Sequence, residues 1–205
     1  MKQIIRWFFF DLGSTLIDET EADLHRIHDM ISGTDVTVET YIKKRLEMIK
    51  YGEPGDLAAM DFFGLKKTPW HTEDEKPYPD AIPTLEELKR NGFKLGIIAN
   101  QNLGTVGRLA KWNMLEYFDV IASSAELGVA KPDHKIFQWA LDRAQCLAEE
   151  AVMIGDRLDN DVAPANQLGM CTVRIMQGQG ACYEPKTKDE VPDYTIEKLS
   201  DVLSI

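Results

Sequence analysis

The sequence predicts an α/β protein in which a doubly wound, mostly parallel sheet carries helices on both faces. Residues 4–10 form a short apolar run rich in aromatic and β-branched side chains, as in a strand buried on both faces of a parallel sheet. Beyond residue 80, strand-like and helix-like segments alternate. This alternation is typical of parallel strands that are joined by crossover helices.

The segment between the first strand and this alternating region is predicted to be helical. Apolar residues recur at helical spacing in residues 21–31 and 37–48, and residues 55–63 form a third, short apolar segment. The proline-containing stretch 66–80 indicates a linker. We therefore predict a helical domain, residues 17–79, inserted into a core domain made of residues 1–16 and 80–205, where it covers the carboxyl ends of the strands.

The core domain is predicted to contain four further strands and five helices. Pro83 near the start of one helix and Gly92 just after it are the expected helix boundaries. The predicted strands are 93–99, 118–122, 152–155 and 170–175, and the predicted helices are 82–91, 103–112, 133–144, 160–168 and 196–203.

Charge and cysteine content limit the possible partners and compartment. The 205 residues carry a formal net charge of -11, which disfavours binding to nucleic acid or to an anionic membrane surface. The three cysteines are odd in number and lack metal-ligand spacing, so we expect reduced thiols in a cytoplasmic protein. No apolar run approaches the roughly 20 residues of a membrane span, and no signal-peptide pattern is expected. The oligomeric state is not predicted.

Polar residues follow several predicted strands. Asp11 ends the first strand, Asn100 follows the second core strand, and Lys131 precedes a core helix. A group of three acids, Asp156, Asp159 and Asp161, follows the strand at 152–155. Taken singly, each residue has an ordinary explanation as a turn former, a solvated side chain or a helix cap.

The combination of these residues predicts chemistry on a phosphoryl group. Carboxylates collected at adjacent strand ends repel one another unless a cation lies among them, and hard oxygen ligands suit Mg²⁺. A lysine beside them binds a second anion. Mg²⁺ and a fixed ammonium together offset charge that develops on phosphoryl oxygens, and Asp11 is then placed to attack phosphorus.

Four motifs in order resemble the haloacid dehalogenase superfamily, whose members are mostly Mg²⁺-dependent phosphatases with a Rossmann-like core. The motifs are FFFDLGSTL, LGIIAN, GVAKPD and MIGDRLDNDVAPANQLGM. They cover residues 4–16 and about 80–175. The helical insertion occupies the place of the small helical cap of that family, where substrate selectivity is normally set.

The resemblance implies a role for each matching residue. Asp11 is the expected nucleophile and a metal ligand, and the backbone carbonyl of Gly13 also faces the metal. Lys131 holds the phosphoryl oxygens and orders Asp11. Asp156 is expected to bind Mg²⁺ directly, and Asp161 either binds it or acts through water. The remaining expected phosphate-binding residues are Thr15 and Asn100, whereas Asp159 matches no family position.

Two departures from the family pattern bear on activity. Most phosphatases of the family have a second Asp, the general acid and base, where this chain has Gly13. Positioned acid-base groups typically contribute about 10²- to 10⁴-fold. Water, Thr15 or the substrate remain as replacements, and good leaving groups are expected to react better than alkyl esters. Ala99 stands where the family usually has Ser or Thr.

Three functions remain open from the sequence. The leading interpretation is a Mg²⁺-dependent phosphatase that hydrolyses a small phosphorylated metabolite. The second is a weakly active or inactive phosphate-binding regulatory protein that keeps the metal site. The third is a dehalogenase-type hydrolase, but a metal-independent reaction does not require the acids at Asp156 and Asp161.

Overall fold

The apolar run near the amino terminus forms the central strand of the protein. The computed structural model describes residues 5–205, so Ile4 of the predicted strand lies outside the described residues. Alternate side chains of the strand Trp7–Phe10 enter two different cores: Phe8 and Phe10 pack into one, and Trp7 and Phe9 into the other. Both faces of the strand are therefore buried, which explains why its sequence is apolar without interruption.

Six strands form one parallel sheet around this central strand. Its spatial order is β5-β4-β1-β6-β7-β8, every neighbouring pair is parallel, and the predicted fold class is confirmed. The strands are β1 (Trp7–Phe10), β2 (Ile17–Asp18), β3 (Lys76–Pro77), β4 (Lys94–Ala99), β5 (Val120–Ser123), β6 (Ala151–Gly155), β7 (Cys171–Ile175) and β8 (Tyr194–Ile196).

Helices flank the sheet and form the insertion between β2 and β3. They are α1 (Thr20–Ile31), α2 (Val38–Lys50), α3 (Gly55–Phe63), α4 (Ala81–Arg90), α5 (Thr105–Lys111), α6 (Ser124–Leu127), α7 (His134–Ala144) and α8 (Ala163–Leu168). Within residues 5–205, none of the helices combines the length and the apolar character needed to cross a membrane.

The carboxyl-terminal helix predicted at residues 196–203 is wrong. Ile196 ends β8, a sixth parallel strand, and only Leu199–Ser204 is helical, as a 3₁₀-helix. The side chains of Leu199 and Val202 still pack into the core, so an apolar spacing that fits an α-helix is also satisfied by the tighter helix. The helix predicted at 160–168 begins earlier, as a π-helical turn over Leu158–Val162 that leads into α8.

Two short strands connect the insertion to the core. β2 and β3 pair antiparallel, with Ile17 opposite Pro77 and Asp18 opposite Lys76, so the entering and leaving chains run side by side. We use the name cap for residues 17–79. This boundary stays a prediction, but the pairing places both chain crossings at one point.

Buried ion pairs hold the three cap helices together. Arg26 of α1 and Arg45 of α2 are almost fully buried, and both bind Asp23 and Asp56. Tyr41 donates a hydrogen bond of 2.8 Å to Asp56 Oδ1. Asp56, near the start of α3, thereby joins all three helices.

The cap also contacts the core across the carboxyl ends of the strands. The Tyr183 hydroxyl accepts a hydrogen bond of 3.2 Å from the backbone N–H of Gly55, and Lys186 Nζ donates one of 2.6 Å to the carbonyl of Gly52. The cap therefore lies over the sheet edge where the polar residues predicted from the sequence are collected.

Candidate active site

The candidate site lies where the strand order of the sheet reverses. After β1 the chain adds β4 and β5 on one side and later adds β6, β7 and β8 on the other. Ligands of doubly wound sheets bind outside the carboxyl ends of the strands at such a switch point. Asp11, Asn100 and Asp156 directly follow the three central strands β1, β4 and β6.

Three carboxylates converge at this point. Oxygen atoms of Asp11, Asp156 and Asp161 all lie within 4.8 Å of one another, and Asp156 and Asp161 are buried. Burial and the nearby charges of Asp161 and Asp11 raise the pKa of Asp156 well above its usual range. This donor set fits Mg²⁺, because carboxylate oxygens are its preferred ligands and a cation offsets their mutual repulsion.

Lys131 lies directly against two of these acids. Its Nζ is 2.8 Å from Asp11 Oδ1 and 2.5 Å from Asp161 Oδ1, and only 5% of the residue is exposed. Burial alone lowers the pKa of Lys131, but the charges of Asp11 and Asp161 outweigh it and raise this pKa above its ordinary value. A lysine held charged at the carboxyl ends of the strands is also placed to bind an incoming anion.

Asp161 and Asp159 have different surroundings although they are two residues apart. Asp161 is fully buried, and its second oxygen accepts a hydrogen bond of 2.9 Å from the backbone N–H of Arg157. Asp159 instead forms two hydrogen bonds, of 2.9 and 2.7 Å, with the side chain of Arg157 on the surface. Both oxygens of Asp161 are thus held in place within the acid cluster, and Asp159 lies outside it.

Asn100 lines the cavity next to Asp11, whereas Thr15 points away from it. The side-chain amide of Asn100 is hydrogen-bonded to the backbone of Lys131, through its Nδ2 at 2.9 Å and its Oδ1 at 2.7 Å. Thr15 is fully buried, and its hydroxyl has no hydrogen-bond partner within residues 5–205. This placement does not support Thr15 as a phosphate ligand or as a proton donor.

Ser14 is the half-buried residue of this loop that faces the cavity instead. Its backbone has a φ of 54°, in the left-handed region, and the next residue turns inward. Three successive amides, of Thr15, Leu16 and Ile17, donate to the carbonyl of Leu12 and close this tight turn. Because of the turn, Ser14 rather than Thr15 lines the cavity above Asp11.

A cleft of about 320 Å³ lies between the acid cluster and the cap. It contains five residues that the sequence singled out, Asp11, Gly13, Asn100, Lys131 and Asp156, together with residues that the sequence did not single out. These additional residues are Ser14, Glu19, Asp56, Gln101, Arg157, Asn160, Gln179 and Tyr183. We call this cavity the active-site cleft.

The loop after β7 forms one wall of the active-site cleft. Gln179 and Tyr183 line the cavity, and Gly180 approaches Asp156 so closely that a β-carbon at this position would collide with the carboxylate. A side chain at residue 180 would therefore displace Asp156. No motif marks this loop in the sequence, because its contacts with the site depend on the tertiary structure.

Glu19 is the residue of the site that the sequence least suggested. It lies between β2 and α1 and lines the active-site cleft and both cavities next to it. Burial, and then the charges of Asp11 and Glu75, raise the pKa of Glu19 to about 8. A single Glu after a short strand is an ordinary feature of a surface turn, so no sequence signal indicated this position.

A second group of potential metal ligands lies on the surface of the cap. Asp29 and the rings of His25 and His71 are close together, but the two rings stack in parallel at 3.5 Å with planes 5° apart. The nitrogen lone pairs lie in the ring planes, so those of stacked rings do not converge on one ion. Hydrogen bonds of 2.7 Å from His25 to Asp74 and from His71 to Asp29 account for this arrangement.

Trp70, in the linker that contains His71, packs within the protein. Its indole N–H donates a hydrogen bond to Glu75, and its ring lies beneath the guanidinium group of Arg26.

Residues 8–175 match the family described as haloacid dehalogenase-like hydrolase. The chain belongs to this family. The match spans both sides of the cap, and the resemblance inferred from the four motifs is confirmed.

Curated relatives include several phosphatases of small phosphorylated sugars. The chain is 42% identical over 131 residues to a glyceraldehyde 3-phosphate phosphatase of Methanopyrus kandleri, a match that covers 63% of this chain and 56% of that protein. It is 33% identical to the enzyme of the same name from Pyrococcus abyssi, over 98% of this chain and 94% of that protein. A ribulose-1,5-bisphosphate 5-phosphatase of Halopiger xanaduensis is 37% identical over 69% of this chain and 59% of that protein. The chain thus spans little more than half the length of some of these relatives.

Solved structures share the fold over nearly the whole chain. A haloacid dehalogenase-type phosphatase from Thermococcus onnurineus superposes with a TM-score of 0.68 at 25% identity, over 98% of this chain and 97% of that one. The hydrolase YfnB from Bacillus subtilis gives a TM-score of 0.73 at 20% identity, over 98% of both chains. The second similarity supports the fold alone.

Proposed function

We propose that this chain is a Mg²⁺-dependent phosphatase that hydrolyses a small phosphorylated sugar through an aspartyl-phosphate on Asp11. One observation carries the proposal. Lys131 contacts Asp11 at 2.8 Å within a cluster whose other acids, Asp156 and Asp161, lie within 4.8 Å. Nucleophile, phosphoryl-binding cation and metal ligands are therefore within reach of one phosphate group.

Asp11, Asp156 and the backbone carbonyl of Gly13 are the proposed ligands of Mg²⁺. Asp161, which is hydrogen-bonded to Lys131 and to the Arg157 amide, is assigned a positioning role. When bound, the ion supplies positive charge that offsets the charge developing on the phosphoryl oxygens. This donor set argues against a metal-independent dehalogenase, which has no need of two buried acids beside the nucleophile.

The residues of this chain then act in two steps. The carboxylate of Asp11 attacks phosphorus, and the bond from phosphorus to the ester oxygen breaks. Lys131 holds Asp11 in position and neutralises negative charge as it builds up. Water subsequently attacks the phosphorus of the aspartyl-phosphate, releases phosphate and restores Asp11. Asn100 fixes the backbone of Lys131 throughout both steps.

The substrate class comes from the relatives and from the size of the cavity. Glyceraldehyde 3-phosphate and ribulose 1,5-bisphosphate are the substrates in the names of similar proteins. An active-site cleft of about 320 Å³ suits a small phosphorylated sugar, at the lower end of typical ligand pockets. The cap, residues 17–79, closes this cleft and is the proposed selector of the sugar. We place the protein in the cytoplasm, where its three free cysteines stay reduced.

Phosphate release from a panel of phosphorylated sugars tests this proposal. We expect activity that needs Mg²⁺, is lost with EDTA and is lost in Asp11→Asn. Acid-quenched protein incubated with ³²P-labelled substrate should retain label in the wild type and none in Asp11→Asn. Mg²⁺ binding without any phosphate release would instead support the regulatory alternative.

A further inference from the structure

The carboxyl group of Glu19 occupies the space that a side chain at position 13 would need. A β-carbon built on Gly13 would lie 2.6 Å from Oε1 and 2.6 Å from Oε2 of Glu19, and 2.7 Å from its carboxyl carbon. These distances are too short for two separate groups. The family resemblance places an acid-base carboxylate at residue 13, and in this chain a carboxylate reaches the same space from residue 19.

The surroundings of Glu19 do not indicate a structural role. Glu19 holds the N-cap position of α1, but its side chain forms no capping hydrogen bond. Within residues 5–205 its carboxyl group accepts one hydrogen bond, of 3.4 Å, from the Ser14 hydroxyl, and it forms no ion pair. The two cations of the active-site cleft, Lys131 and Arg157, bind other acids. Apart from the contact with Ser14, an ionised carboxylate in this position only adds repulsion against Asp11 within residues 5–205.

We infer that Glu19 is the proton donor and acceptor of the phosphatase reaction, in place of the side chain that Gly13 lacks. This inference rests on the proposed function. In the first step the P–O bond to the leaving group breaks, and the Glu19 carboxyl gives its proton to the departing oxygen. In the second step the Glu19 carboxylate takes a proton from the water that attacks the aspartyl-phosphate, so each cycle returns Glu19 to its starting form.

Glu19 therefore removes the expected restriction to good leaving groups. An alkyl phosphate needs a proton on its leaving oxygen, whereas an aryl phosphate with an acidic phenol departs readily without one. With a proton donor in the active-site cleft, alkyl esters such as phosphorylated sugars are suitable substrates. Although Glu19 lies six residues after Gly13 in the sequence, its side chain is long enough to bring the carboxyl group next to Gly13.

The test compares Glu19→Gln with the wild type on glycerol 3-phosphate and on p-nitrophenyl phosphate. We expect kcat/KM for the alkyl ester to fall about 10²-fold or more. For the aryl ester we expect a burst of close to one nitrophenol per active site followed by slow turnover, because the aspartyl-phosphate forms but is hydrolysed slowly. Glu21→Gln, an exposed acid in the first turn of α1, is the matched control and should stay near wild-type rates.

A relocation experiment separates a proton-transfer role from a packing role. Gly13→Asp alone should not gain activity, because its β-carbon would collide with Glu19. Glu19→Ala should lose activity on the alkyl ester. The double variant Gly13→Asp with Glu19→Ala should have a kcat/KM at least tenfold higher than that of Glu19→Ala. The melting temperature of Glu19→Gln should equal or exceed that of the wild type, since the substitution replaces an acid whose ionised form is disfavoured in the folded protein by a neutral amide of the same shape.

The outcomes distinguish this inference from the proposed function. Glu19→Gln with wild-type rates on the alkyl ester, or with equal losses on both esters and no burst, overturns the role of Glu19. Failure of the double variant to recover activity overturns it as well. In each case the proposed function stands if the wild type releases phosphate and Asp11→Asn does not. No release by the wild type overturns both.

Discussion

The side chain of Asn100 holds the backbone of Lys131 from both sides. Asn100 Nδ2 donates to the Lys131 carbonyl at 2.9 Å, and the Lys131 N–H donates to Asn100 Oδ1 at 2.7 Å. Asn100 directly follows β4, and Lys131 lies in the loop before α7, so this pair attaches that loop to the end of a sheet strand. The position of the Lys131 ammonium group depends on this attachment.

Asn100→Ala should reduce activity, because the position of Lys131 depends on both hydrogen bonds to Asn100. Each lost hydrogen bond is worth about 0.5–1.5 kcal/mol, and a displacement of Lys131 by about 1 Å is enough to reduce kcat by 10-fold or more. Steady-state kinetics on a phosphorylated sugar measure this effect. Asn100→Asp, which keeps the acceptor and loses the donor, should fall between wild type and Asn100→Ala. Unchanged kcat in Asn100→Ala would contradict the positioning role.

Lys131→Met should lower both stability and activity. Lys131 is almost fully buried between Asp11 and Asp161, and its removal leaves both acids without their cation. Breaking a buried ion pair from one side typically costs about 3–5 kcal/mol of unfolding free energy, and we expect about a 10³-fold loss of kcat/KM. Urea denaturation and phosphate release are the measurements. The control Lys135→Met alters an exposed lysine 4.0 Å from Asp133 and should change neither quantity.

Asp161→Asn and Asp159→Asn should differ sharply although they make the same chemical change two residues apart. Asp161 binds Lys131 and the Arg157 amide in the interior, so its replacement should reduce kcat/KM at least 10²-fold. Asp159 pairs with Arg157 at the surface, where an ion pair contributes about 0–1 kcal/mol. Its replacement should leave kcat within about twofold. Equal losses in both variants would place Asp159 in the site.

Metal-free protein should lose stability as the pH rises from about 4 towards neutrality. The pKa of Asp156 is raised above its ordinary value of 3.8 by burial and by Asp161 and Asp11, so in this range the folded state binds more protons than the unfolded state. Unfolding free energy therefore falls with increasing pH. Melting temperatures in EDTA across pH 4–8 measure this slope.

Mg²⁺ should reverse this loss near neutral pH, because it binds the ionised carboxylates and stabilises only the folded state. Asp156→Asn should reduce the pH slope of the metal-free protein, leaving the part that Glu19 contributes, and abolish the rise of melting temperature with Mg²⁺. A wild-type melting temperature in EDTA that rises between pH 4 and 7 would show that Asp156 is not the dominant buried acid.

The sequence was sufficient for five of the six strands of the parallel sheet, because hydrophobic periodicity reports burial directly. The uninterrupted apolar run of β1 requires burial on both faces, and the following elements alternate as parallel strands and crossover helices do. Local spacing failed at residues 194–204, where β8 and a 3₁₀-helix bury the same apolar side chains that an α-helix would bury. A periodic pattern identifies which residues are buried, but it does not determine which backbone conformation buries them.

The sequence by itself determined which strand ends carry Asp11, Asn100 and Asp156, because parallel strands must end at a common edge. Tertiary structure alone decided what those residues contact. It turned the Asn100 amide toward Lys131 and buried the Thr15 hydroxyl beneath Ser14. It also brought the carboxyl group of Glu19 into the space left by Gly13. The position of Glu19 depends on how the backbone runs from β2 into α1, and the spacing of residues along the sequence does not report that path.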